Sequence, residues 1–89
     1  MNKVVLITTK GCEACKIMSN NIAKAIDVSK KDICIQQLDT NNLDRKYIRT
    51  FGISDCPTTL IFKDGQLKRK EVGTRPYIVI VRWFDIDFK

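Results

Sequence analysis

Two cysteines three positions apart, Cys12 and Cys15, are the residues of this chain best placed to do chemistry. They follow the apolar run Val4-Val5-Leu6-Ile7 and the break Lys10-Gly11, and they open a segment with helical periodicity. A cysteine at a helix start faces unpaired N–H groups and the positive end of the helix dipole, which favour the thiolate. A second cysteine one turn on is close enough to close a disulfide within that turn. The pair therefore reads as a reversible dithiol rather than as two structural thiols. Cys12 is the expected nucleophile. Lys10 and Lys16 favour its thiolate, while Glu13 opposes it through like charge. Cys15, one turn inward, is the expected resolving thiol.

The remaining composition narrows the chemistry. The chain has 89 residues, four cysteines and no histidine. Without histidine there is no Cys–His catalytic pair, no imidazole general base and no histidine-containing zinc site. A four-cysteine zinc site would need a second C-x-x-C knuckle, and Cys34 and Cys56 do not form one. No metal and no cofactor are expected. The length fits one domain, residues 1–89, with a modest core. No apolar run approaches a membrane span, and the N-terminal apolar stretch lacks the length and cleavage site of a signal peptide. The expected location is the cytoplasm, with no membrane partner. Sixteen basic against ten acidic side chains give a net charge of +6. The basic residues are scattered, without aromatic interleaving or a helix-turn-helix pattern, so acidic protein partners fit this surface better than nucleic acid.

These cysteines must be held by an α/β framework. Asn2 to Thr8 reads as a buried strand. From Cys12 to about Lys30, Ala14, Ile17, Met18, Ile22, Ala25 and Ile26 recur at helical spacing. Ile33-Cys34-Ile35 starts a second strand ending near Asp39, which makes the first unit βαβ with a parallel pair and a right-handed crossover. Cys34 is expected to be a small buried residue of an inner strand. Thr40 to Thr50 reads as a helix capped by Asn41 or Asn42, with Leu43, Tyr47 and Ile48 as its apolar stripe and Gly52 as its stop. Thr58 to Phe62 is a strand after Pro57. Asp64-Gly65 is a hairpin turn, and Leu67 to Val72 is the returning edge strand. Lys68, Arg69 and Lys70 suit an edge that resists further pairing.

The last segment carries conflicting signals. Tyr77 to Val81 is β-branched and aromatic, which favours a strand. Against this, Thr74 could cap a helix, Pro76 suits a first turn, and Tyr77, Ile80, Val81, Phe84 and Phe88 share a helical face. A βαβ sheet also needs a layer on each face, and this segment is the one left to complete it. A helix is therefore expected, with Trp83 flanking its buried face and partly exposed.

This order of elements, with KGCEACKIM (10–18), FGISDCPTTLIFKDG (51–65) and EVG (71–73), resembles the thioredoxin superfamily over almost the whole chain. The resemblance implies a four-stranded mixed sheet in the order β2-β1-β3-β4, with the last strand antiparallel, flanked by three helices. It also implies that Pro57 is cis and faces the dithiol, and that Cys56, just before it, offers its backbone to a bound substrate strand. Gly11, Glu13, Cys56, Pro57 and Gly73 are thus the expected substrate-binding residues. Cys56 could be only a small groove residue, could bridge to Cys12, or could join Cys12 and Cys15 around a metal. The departures are specific. The sequence around the dithiol lacks the Trp and Pro of Trp-Cys-Gly-Pro-Cys. Leu6 stands where thioredoxins bury an aspartate. The first strand–helix pair of a full thioredoxin is missing, as in the compact glutaredoxins. The glutaredoxin Gly-Gly for glutathione is replaced by Val72-Gly73-Thr74-Arg75.

The resemblance implies a thiol–disulfide oxidoreductase that reduces protein disulfides through Cys12 and Cys15. The expected partners are disulfide-containing proteins and a flavin-dependent disulfide reductase as electron donor, ahead of glutathione, with the chain acting as a monomer. The alternatives are a non-catalytic adaptor that binds protein through the Cys56-Pro57 groove, and a nucleic-acid-associated basic domain.

Overall fold

The computed structural model describes residues 1–89. Strand β1 (Asn2–Thr8) lies inside the sheet, and its residues Val4 to Thr8 are all buried. Successive side chains of a strand point to opposite faces. Val4 and Leu6 accordingly join one core cluster while Val5 and Ile7 join another. That is why the run is apolar at every position rather than at alternate ones.

Helix α1 (Glu13–Ser29) follows, and strand β2 (Cys34–Asp39) then pairs with β1 in parallel. Strand β3 (Thr58–Lys63) lies on the other side of β1 and runs antiparallel to it. Strand β4 (Gln66–Val72) returns antiparallel to β3, giving the expected order β2-β1-β3-β4. Between them Asp64 and Gly65 take φ values of 52° and 82°. Two left-handed residues make the type I′ geometry that matches strand twist, which is why Asp-Gly marks this turn.

Two helices share one face. Cys15, Met18, Ile22 and Ala25 form the buried stripe of α1. Met18, Ile22 and Ala25 share a core cluster with the buried Ile80, Trp83 and Phe84 of helix α3 (Tyr77–Asp87). Phe88, just beyond α3, stacks on Phe84 with ring centroids 5.4 Å apart. The last segment is thus helical as expected, but its place differs. It lies beside α1, while the opposite face is covered by helix α2 (Arg45–Phe51), whose Tyr47, Ile48 and Phe51 pack on Val5, Ile7, Ile53 and Leu60.

Several local expectations need correction. Residues 40–50 are not one helix. Thr40–Asn42 is a 3-10 turn capped by Asp39, and α2 begins only after Asp44, whose Oδ1 accepts from the Lys46 N–H at 2.9 Å. Carboxylates, rather than Asn41 or Asn42, therefore satisfy these free amides. Gly52 does end α2, at φ 61°. Thr74 does not cap α3. Pro76 stands at that cap, and no side chain bonds there. Trp83 is buried rather than partly exposed, because α1 and β4 close over it. Ile17 is half exposed, since it falls between the buried rows of α1.

Cys34 is exposed, not buried. The reason is its strand: β2 pairs only with β1 and forms an edge of the sheet, and Cys34 to Gln37 are all exposed. The basic cluster at 68–70 is also more than a repelling edge. Arg69 Nε donates to Asp87 Oδ2 at 2.7 Å, and Nη1 reaches Glu71 at 3.2 Å. Its guanidinium lies 5.3 Å from the centre of the Trp83 ring. Lys70 Nζ donates to the Gly52 carbonyl at 2.7 Å. Arg69→Met would leave the buried Asp87 carboxylate without its cation, a loss of about 3 kcal/mol. Urea unfolding should show it as a lower midpoint at unchanged m-value. An unchanged midpoint would mean that the pair contributes nothing.

Candidate functional site

The dithiol sits where β1 hands over to α1. Gly11, at φ 74°, turns the chain, and Cys12 takes the N-cap position with extended backbone. Serine, threonine, aspartate and asparagine favour this position because they accept from the free amides of the first turn. Here sulfur does so: the Cys15 N–H donates to Cys12 Sγ at 3.1 Å. The same donor would stabilise a Cys12 thiolate. Cys12 and Cys15 form a disulfide, with their Cα atoms 5.2 Å apart. Cys12 is half-buried and Cys15 is buried. Glu13 and Lys16 are both exposed, 3.9 Å apart, where an ion pair contributes little.

The second loop of the site runs from Ile53 to Pro57. The Cys56–Pro57 peptide bond is cis. Pro57 is buried, and its carbonyl accepts from the Gly73 N–H at 2.8 Å. Gly73 has φ 93°, a conformation glycine adopts without steric cost. Thr58 Oγ1 donates to the Asp55 carbonyl at 2.5 Å and fixes the loop from the other side. Cys56, Pro57 and Gly73 are therefore brought together, while Gly11 and Glu13 belong to the dithiol loop. A cavity of about 360 Å³ is lined by Thr9, Thr40, Ile48 and the loop from Ile53 to Cys56; neither Cys12 nor Cys15 lines it.

Cys56 is a free, half-buried thiol. Burial, then the carboxylates of Asp39 and Asp55, pushes its pKa up. It is not bonded to Cys12, which is paired with Cys15. With Cys12 and Cys15 in a disulfide, no group of three or more His, Cys, Asp or Glu side chains is placed to hold a metal ion. The direction of the Cys56 shift makes a prediction. In the oxidised protein, iodoacetamide at neutral pH should label the exposed Cys34 ahead of Cys56, and Cys56 labelling should rise steeply only at alkaline pH. Peptide mass mapping across a pH series would read this. Equal rates for the two thiols at neutral pH would contradict it.

Sequence reading missed Asp39 and Asp55 as neighbours of Cys56. Asp55 was visible beside it in the chain. Asp39 comes near only through the parallel pairing that sets Asp39 opposite Thr8. A second cavity, of about 400 Å³ and lined by Val5, Tyr47, Phe51 and Phe62 among others, touches none of the cysteines.

No helix is long and apolar enough to cross a membrane. No curated protein matches the chain in sequence. Among solved structures, thioredoxin-2 of the malaria parasite, described as a component of its protein secretion machinery, superposes with a TM-score of 0.82 at 18% identity. That match covers 96% of this chain and 82% of the parasite protein. Oxidised mitochondrial thioredoxin 3 from Saccharomyces cerevisiae gives a TM-score of 0.77 at 24% identity, over 96% of this chain and 78% of its own. At these identities the likeness establishes the fold. The thioredoxin family model matches residues 2–85. With the four-stranded order, the three helices and the disulfide at the start of α1, this shows that the chain belongs to the thioredoxin family.

Proposed function

We propose that the protein is a thiol–disulfide oxidoreductase that reduces disulfides in other proteins, and that Cys12 and Cys15 carry the electrons. The observation that carries this reading is the Cys12–Cys15 disulfide at the N-terminus of α1, with Cys12 accepting a backbone N–H and Cys15 buried behind it. In the reduced protein, Cys12 gives up its proton and its thiolate attacks one sulfur of a substrate disulfide. The substrate S–S bond breaks, and the departing sulfur leaves with the bonding pair and takes a proton. Cys15, deprotonated in turn, attacks the Cys12 sulfur of the mixed disulfide. The second substrate thiol is released and the Cys12–Cys15 bond closes. The substrate has gained two electrons and the protein has lost two, so each cycle needs an external reductant.

For that reductant we favour a flavin-dependent disulfide reductase over glutathione, because Val72-Gly73-Thr74-Arg75 replaces the Gly-Gly that holds glutathione in the glutaredoxins. A reducing compartment such as the cytoplasm suits this direction of electron flow. Gly11, Glu13, Cys56, Pro57 and Gly73 form the groove that receives the substrate strand.

Insulin reduction with dithiothreitol tests the reading. The wild type should accelerate precipitation of the insulin B chain, and Cys12→Ser/Cys15→Ser should not. Equal rates for the two proteins would favour a binding adaptor that uses the same groove without chemistry.

A further inference from the structure

The cavity beside Cys56 has a character opposite to that of the whole chain. The protein carries a net charge of +6, yet no lysine or arginine lines this space. Asp55, Thr9, Thr40, Ser54 and Cys56 line it. Ile48 and Ile53 add apolar surface. Its volume of about 360 Å³ is at the small end of ligand pockets, which suits one side chain rather than a cofactor. Four stretches of chain form it: the end of β1 (Thr9), the turn after β2 (Thr40), α2 (Ile48) and the loop before Pro57. Ligands of open α/β sheets gather at the carboxyl ends of parallel strands. Thr9 stands three residues before Cys12, and Cys56 directly precedes Pro57. A substrate strand docked at the dithiol would therefore pass this opening.

We propose that the cavity is a specificity pocket that takes an arginine or lysine side chain of the substrate protein, close in sequence to the cysteine that Cys12 attacks. The inference rests on the exchange reading given above. The long aliphatic stem of such a side chain would cover Ile48 and Ile53, while its charged head would meet Asp55 and the hydroxyls. Asp39, whose charge is felt at Cys56, adds to the same negative field. Oxidised substrates with a basic residue beside their disulfide would thus be selected from among others, even though the protein as a whole is basic.

The test uses the full chain and peptides closed by a single disulfide. The peptides differ only by Arg, Gln or Glu, placed in turn at each position flanking the cysteines. The wild type should reduce the best Arg peptide roughly tenfold more efficiently than its Gln counterpart, with the difference in KM, and the Glu peptide should be poorest. Asp55→Asn should bring the Arg and Gln peptides together. A second readout does not need exchange chemistry: serine-for-cysteine versions of the same peptides are titrated into isotopically labelled protein. The Arg version should shift the amide signals of Thr9, Thr40 and residues 54–56 at a lower concentration than the Gln version does. If no peptide is reduced but these shifts appear, the pocket stands and the exchange reading fails. If Arg, Gln and Glu peptides behave alike in both readouts, or if the preference survives in Asp55→Asn, the pocket is overturned.

Discussion

Cys15→Ser should convert the protein from a catalyst into a trap. Cys12 keeps its place at the helix N-terminus, so its thiolate still attacks a substrate disulfide and forms the mixed disulfide. Without a buried thiol one turn behind it, nothing closes the ring and releases the partner. Turnover should fall by a factor on the order of 10³ or more, the scale on which losing a member of a catalytic unit acts. Non-reducing electrophoresis should show covalent complexes with Cys15→Ser and none with Cys12→Ser. Cys56 is the one other thiol near these loops that could substitute. Burial and two neighbouring carboxylates hold its pKa up, which keeps it protonated and slow at neutral pH. The double variant Cys15→Ser/Cys56→Ser should therefore trap no more complex than the single one. A clear increase would show that Cys56 resolves the intermediate.

The second large effect concerns stability. Phe84 is fully buried, stacks on Phe88 and lies in the cluster that joins α1, α3 and β1. Phe84→Ala removes a ring from this seam and leaves a cavity that flanking helices can close only in part, at a cost of about 3–5 kcal/mol. A domain of this size has about 5–15 kcal/mol in total, so the variant should lie close to the unfolding threshold. Urea titration by circular dichroism would measure it. A loss below about 1 kcal/mol would mean that the α1–α3 seam is not the main stabilising contact.

How much of this the chain reveals on its own depends on how local each signal is. The dithiol, the Asp64-Gly65 turn and the stop at Gly52 are set by a few adjacent residues, and each is found where the residues place it. The four-stranded order comes from the resemblance, and the pairing matches it. What was not legible is which face or edge an element occupies. A helix stripe shows that α3 has a buried side, but not that it packs beside α1 instead of opposite it. Ile33-Cys34-Ile35 looks like an inner strand by propensity, although Gln36 and Gln37 already hint at the exposed edge that β2 forms. Arg69 reads as surface charge, because its partner Asp87 is eighteen residues away. The cavity beside Cys56 is hardest of all to foresee, since its lining comes from four separate stretches of chain.

The most direct measurement is limited alkylation of the fully reduced protein, quenched over time and read by peptide mass mapping. Cys12 lies half-buried at the N-cap with a backbone N–H pointing at its sulfur, and Cys15 is buried. Cys12 should be labelled first at neutral pH, well ahead of Cys34 and Cys56, with Cys15 last. Faster labelling of Cys15 than of Cys12, or a Cys12 rate no higher than that of Cys34, would contradict the assignment of Cys12 as the attacking thiol.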